Sequence, residues 1–183
     1  MSRIVVLVGS VRKGGNTELL AQAFAEGAGK QHEVELVSVA DYDIHPCIGC
    51  NSCYTREGHR CFREDGMQAI YEKLKQAEVL VIASPVYFYG ISAQLKALVD
   101  RLHTPMRNEF AIRKLGLILA GAAEIPDLFD PIVLQYRMIL RFFKLEDAGM
   151  VLVPGVKEKG DVAGTDGIEK ARKMGEAVAA AQQ

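Results

Sequence analysis

Residues 3–17 read RIVVLVGSVRKGGNT, and the order of residue types within them decides the fold class. From Arg3 to Gly9 the run is almost entirely apolar, as expected of a strand buried on both faces, and glycine ends it. A short turn rich in glycine and polar groups follows. From Asn16 the spacing changes, so that Leu19, Leu20, Ala23, Phe24 and Gly27 share one face of a helix. A buried strand, a glycine-rich turn and an amphipathic helix form the opening half of a βαβ unit.

The same alternation continues outward from this unit. Glu33–Val39 is a β-branched strand, followed by an irregular Cys-rich stretch from about Asp41 to Glu64. Asp65 is placed to cap a helix whose Met67, Ile70, Tyr71 and Leu74 fall at helical spacing. Glu78–Ser84 reads as a strand broken at Pro85, and Ser92–Leu102 as a helix. Lys114–Ala120 is a further strand, Ile132–Phe143 an amphipathic helix and Ala148–Val153 a fifth strand, with a last helix from about Asp166 to Ala181. Five buried strands separated by helices predict an α/β domain with a parallel sheet covered on both faces. Ligands of such sheets bind beyond the carboxyl ends of the strands. Attention therefore falls on Ser10–Asn16, Pro85–Gly90 and Gly121–Asp127, with the Cys-rich stretch leaving strand two on the same rim.

Composition sets the outer bounds. The 183 residues are 49% hydrophobic and 25% charged, the balance of a soluble globular protein, and predict a single domain. Lys plus Arg total 22 against 23 Asp plus Glu, a net charge of −1, so no global charge argues for nucleic acid or an anionic membrane. No apolar run approaches the roughly 20 residues that span a bilayer, and the short opening run does not resemble a signal-peptide core. A cytoplasmic protein is the expectation.

The first turn offers backbone N–H groups at a helix N-terminus, where the dipole favours an anion. Ser10, Arg12, Gly15, Asn16 and Thr17 are the candidate phosphate ligands. It is not a Walker A loop, because Gly15-Asn16 stands where Lys and Ser/Thr are required, and G-x-G-x-x-G is absent. An ordinary strand–helix turn remains the plain alternative. The segment Pro85-Val86-Tyr87-Phe88-Tyr89-Gly90 places a proline and three aromatics at a strand end. It offers a flat apolar surface and backbone amides to an aromatic ring, or else plugs a sheet edge or an interface.

All four cysteines lie in one stretch, spaced Cys47-x2-Cys50-x2-Cys53-x7-Cys61. Soft thiolates select iron–sulfur clusters or zinc, and the tight triple spacing is closer to ferredoxin loops than to zinc ribbons. Zinc, an empty thiol site and disulfide chemistry are the alternatives. His45 and His59 flank the cysteines and read as solvated or hydrogen-bonded loop residues, with metal ligation the alternative, while His32 and His103 read as surface residues.

Together, Gly9-Ser10-x-Arg12-x-x-Gly15-Asn16-Thr17, Ser84-Pro85-Val86-Tyr87 and Leu95-Lys96-Ala97-Leu98-x-Asp100-Arg101 resemble the flavodoxin-like NAD(P)H-dependent FMN reductases. The cysteine motif resembles that of their iron–sulfur flavoprotein branch. The resemblance implies a flavodoxin-like three-layer sandwich with strand order 2-1-3-4-5, FMN phosphate in the first loop and the isoalloxazine ring along Pro85, Val86, Tyr87, Phe88 and Gly90. It implies a [4Fe-4S] cluster on Cys47, Cys50, Cys53 and Cys61, and an FMN-dependent oxidoreductase whose cofactor carries the chemistry without a catalytic side chain. NAD(P)H or ferredoxin is the implied electron partner and a homodimer or homotetramer the implied assembly, which His103–Arg113 and Ile125–Pro131 are long enough to help build. A reductase without a cluster, a non-catalytic electron carrier and a zinc-stabilised binding module are the competing readings.

Overall fold

A computed structural model describes residues 1–178. Five long strands run parallel: β1 (Arg3–Val8), β2 (Glu33–Ser38), β3 (Val79–Tyr87), β5 (Lys114–Ala120) and β6 (Glu146–Val153). Their order is β2-β1-β3-β5-β6, the flavodoxin-like order expected from the resemblance once the two-residue β4 (Gly90–Ile91) is set aside. The sign of alternation along β1 builds the three layers. Ile4, Val6 and Val8 face α1 (Asn16–Ala28) and α6 (Gly167–Ala177), whereas Val5 and Leu7 join Met67, Ile70, Leu74, Leu95 and Leu98 on the opposite face. That second face is covered by α3 (Met67–Gln76), α4 (Ala93–Asp100) and α5 (Asp130–Phe143). A single helical turn, α2 (Ser52–Thr55), lies within the cysteine stretch.

Two glycines decide how closely α1 and α6 approach. A Cβ on Gly27 would stand 2.1 Å from the Arg172 carbonyl oxygen, and one on Gly175 would stand 2.2 Å from that of Phe24. The helices therefore touch backbone to backbone, and their shared face is set by residue size as well as by hydrophobicity.

Two expectations need correction. Pro85 does not end β3; the strand continues to Tyr87 and pairs in register with β5 as far as Pro85↔Ala120. Pairing with β1 stops at Ala83, so the strand has a free side where the proline lies, and a missing N–H is tolerated there. His32 is not a surface residue: it is buried, its Nδ1 accepting from the Ser2 N–H at 3.2 Å and its Nε2 lying 2.7 Å from the Val178 carbonyl oxygen. Among the described residues the last helix spans Gly167–Ala177, and the part expected at 179–181 lies outside them.

Candidate functional site

The carboxyl ends of β1 and β3 and the loops that leave them form one rim. The loop after β1 closes on itself: Ser10 Oγ accepts the Arg12 N–H at 3.2 Å, and the Gly15 N–H donates to the Arg12 carbonyl at 3.1 Å. Gly15 is buried, and a Cβ there would meet that carbonyl oxygen at 2.9 Å. It is also the N-cap of α1 and brings no side chain to cap the first-turn N–H groups. A helix N-terminus left without a side-chain cap, beside the exposed Arg12 guanidinium and the Ser10 hydroxyl, has the chemistry of a phosphate cradle.

Asn16 and Thr17 stand at that N-terminus, but their side chains are differently engaged. The Asn16 carboxamide spans to the loop after β6, its Nδ2 donating to the Glu158 carbonyl at 2.8 Å and its Oδ1 accepting from Gly160 and Val162 N–H at 3.0 and 3.2 Å. The amide is thereby spent on tethering a neighbouring loop, and only its backbone N–H is left to face an anion. Thr17 is buried. The tether also brings Lys159, which the sequence reading did not single out, over Gly14, with its Nζ 3.1 Å from where a Cβ would stand.

The second element of the rim is a hairpin. β3 turns back at Phe88 and Tyr89 into β4, pairing Val86↔Ile91 and Tyr87↔Gly90. Both turn residues have left-handed backbones, with φ of 47° and 63°. Such a turn normally takes Asn-Gly, and bulky residues hold it at a cost of about 1–3 kcal/mol each. The aromatics it presents are open to solvent, Phe88 at 97% exposure. Strain and exposed apolar surface at one spot are both features of binding sites rather than of scaffolds.

Two serines, Ser84 of the Ser84-Pro85-Val86-Tyr87 motif and Ser92, which the sequence marks only as a helix start, lock the hairpin and the loop after β1 together. Ser84 Oγ accepts the Ser92 N–H at 3.0 Å and donates to the Pro85 carbonyl at 2.8 Å, while Ser92 Oγ donates to the Gly9 carbonyl at 2.7 Å and caps α4 by accepting from Leu95 N–H. Both are buried. Ser84 was marked by its motif but not by this role, and Ser92 only by its polarity at a helix start. The loop after β5 is in turn tied to the loop after β6 through Val156 N–H to Gly121 carbonyl at 2.9 Å.

The four cysteines are free thiols and line one cavity of about 220 Å³ with Tyr71, Arg101, His103 and Thr104. Cys47 and Cys50 are exposed, Cys53 and Cys61 half-buried. Among the described residues no three Cys, His, Asp or Glu side chains are drawn to single-ion distances. The Ser52 hydroxyl, 3.4 Å from Cys50 Sγ, and the Ser52 backbone hold that thiol below its ordinary pKa, which favours the thiolate that binds metals. His59 points its Nδ1 to the Cys53 carbonyl at 3.2 Å; the His45 backbone N–H donates to Asp65 at 3.1 Å, and its ring Nδ1 lies 3.7 Å from the same carboxylate.

Beneath the cavity lies a buried ion pair. Arg101 and Asp65, each with 3% of its side chain exposed, bond through Arg101 Nη1, which also donates to the His45 carbonyl at 3.2 Å. Burial alone would raise the Asp65 carboxyl, but bonds from Arg101 and from the His45 and Met67 N–H groups outweigh it and hold the pKa below the usual range. Burial pushes Tyr71, which donates to the Arg101 carbonyl at 2.8 Å, up to about 12.

The sheet order and rim define a flavodoxin-like nucleotide-binding protein. The NADPH-dependent FMN reductase profile matches residues 2–128, so the chain belongs to that family, within its iron–sulfur flavoprotein branch. It is 35% identical over 193 residues to an iron–sulfur flavoprotein of Methanocaldococcus jannaschii, covering 97% of this chain and 95% of the relative. An iron–sulfur flavoprotein of Methanosarcina thermophila is 37% identical over 120 residues, 64% of this chain and 62% of that one. Among solved structures, the NAD(P)H:quinone oxidoreductase from Methanothermobacter marburgensis superposes with a TM-score of 0.71 at 16% identity, over 96% of this chain and 98% of that one. The protein is an FMN-dependent oxidoreductase. No helix of the described residues is long and apolar enough to cross a membrane.

Proposed function

We propose that the protein moves electrons between FMN and a [4Fe-4S] cluster held by Cys47, Cys50, Cys53 and Cys61, with NAD(P)H or ferredoxin as its partner. FMN supplies chemistry that joins two-electron donors to one-electron acceptors. This chain's residues bind and orient it. The first-turn N–H groups of α1, with Ser10, Arg12 and Gly15, take the phosphate; Asn16 holds the adjoining loop, and Thr17 supports the turn from within. Pro85, Val86, Tyr87, Phe88 and Gly90 lie along the ring. The observation that carries the reading is the Ser84–Ser92–Gly9 relay, which fixes the uncapped helix N-terminus and the strained aromatic hairpin as one unit.

The cysteine cavity supports the cluster by its donor set of four soft thiolates around one space. Anaerobic purification followed by a visible spectrum with flavin, iron and sulfide assays tests the whole reading. FMN with about four irons per chain supports it. FMN with no iron, even after reconstitution, leaves a plain flavin reductase, and a colourless chain that refuses FMN overturns the site.

We further propose a homo-oligomer whose copies meet over α5. Leu134, Met138 and Phe142, one turn apart, are each more than half exposed, and they border a groove of about 650 Å³ whose other wall holds His103, Arg107, Phe110 and Ile112. These wall residues belong to the segment whose length already argues for reaching a neighbour. An apolar stripe of this kind on a helix is suited to burial against its own copy. Met138→Glu, read by sedimentation, should give monomers; an unchanged oligomer would move the interface elsewhere.

A further inference from the structure

Arg101 has more donors than its surroundings use. Nη1 serves Asp65 and the His45 carbonyl, but Nε and Nη2 are buried with no hydrogen-bond partner among the described residues. The hydroxyl of Thr104, three residues on, is buried and likewise has no partner among the described residues. Orphaned buried donors are rare, because each forfeits its hydration without replacement. These two residues are both on the wall of the cysteine cavity, and no other described carboxylate pairs with Arg101.

Resting on the cluster reading above, we propose that Arg101 and Thr104 are potential-setting residues that donate hydrogen bonds to the sulfur atoms of a cluster held in this cavity. Asp65 holds the guanidinium by Nη1, the Tyr71 side chain lies beside it, and Arg101 and Thr104 both line the cavity. A cluster on four thiolates is anionic in both oxidation states and gains a negative charge on reduction. A buried guanidinium and a hydroxyl beside it therefore stabilise the reduced form more than the oxidised one, since hydrogen bonds to sulfur and local charge set cluster potentials. The cluster also satisfies the orphaned donors, which explains why a chain would keep them buried.

The test is a spectroelectrochemical titration of the iron-loaded holoprotein and two variants. Arg101→Lys retains the positive charge and a partner for Asp65 but has no planar edge left for the cavity. Thr104→Val removes the hydroxyl at constant shape and keeps the proposal testable if Arg101→Lys does not fold. Both should load iron and sulfide as wild type does. The Arg101→Lys cluster should be at least tenfold harder to reduce at a given potential, a shift of about 59 mV to more negative values for one electron, and Thr104→Val should shift the same way by less. Loaded variants whose potentials match wild type overturn the proposal alone. A wild-type chain that takes up no iron under reconstitution overturns the cluster reading, and this proposal with it.

Discussion

The phosphate loop and the cysteine stretch leave adjacent strands on the same rim, yet they are held in opposite ways. The first is seven residues long and pinned by β1, α1, buried serines and a tether to the loop after β6. The second runs for more than twenty residues, and neither of its short helical turns buries a side chain. What anchors it is mainly the Asp65–Arg101 pair and the Asp65 bond to the His45 N–H. One site is organised by the sheet before anything binds. The other has few apolar contacts of its own, so a group held by its thiols, as proposed above, would supply much of its order.

The largest break in this comparison is Cys53→Ala. Iron and sulfide in the reconstituted protein should fall to background, while FMN affinity, measured by flavin fluorescence, stays within about twofold, since the phosphate loop takes nothing from the cysteine stretch. A joint loss of both would show that the two sites are not independent.

Next is Asp65→Asn, which strands a buried guanidinium and should cost about 3–5 kcal/mol, lowering Tm by roughly 10 °C. Because the folded Asp65 pKa is depressed, its contribution is complete above the unfolded value near 4 and is lost as pH falls through the folded one. The stability gap between wild type and variant should therefore close in acid below about pH 4. A gap that persists there would place the cost outside the ion pair.

Gly175→Ala should destabilise by about 1–3 kcal/mol through overpacking, because its methyl meets the Phe24 carbonyl rather than a movable side chain. Denaturant melts would show this without a change in cofactor content. In the phosphate loop, Ser10→Ala with Arg12→Ala should weaken FMN binding about tenfold by removing a charge-assisted contact of about 1.5–3 kcal/mol, and undiminished affinity would reassign the loop.

The smallest expected effect has two signs. Tyr89→Gly should raise stability by about 1 kcal/mol by relieving the left-handed backbone while weakening flavin binding. A variant stabilised with flavin affinity intact would mean that the strained turn serves the sheet and not the ring.

The five long strands, the five longer helices and the two loops of the rim were legible because hydrophobic period and glycine placement are local properties. The hairpin after β3 was not, since Pro85 signals a stop and Phe88-Tyr89 lacks the Asn-Gly of a tight turn. Only the register with β5 reveals that the strand continues. Asn16 reads from the sequence as a phosphate ligand, and its role as a tether was not legible there, because its partners lie more than 140 residues away.

By itself the sequence determined the fold class, the glycine-rich turn after β1 and the aromatic segment after β3, and the grouping of all four thiols in one stretch. These follow from residue type and short-range spacing, which the chain carries before it folds. The tertiary structure alone decided which polar groups are spent and which are left over. Ser84 and Ser92 are consumed in joining two loops, while two donors of Arg101 find no hydrogen-bond partner among the described residues. That distinction depends on which groups lose water and what then stands within hydrogen-bonding reach, and contacts between distant segments alone set both.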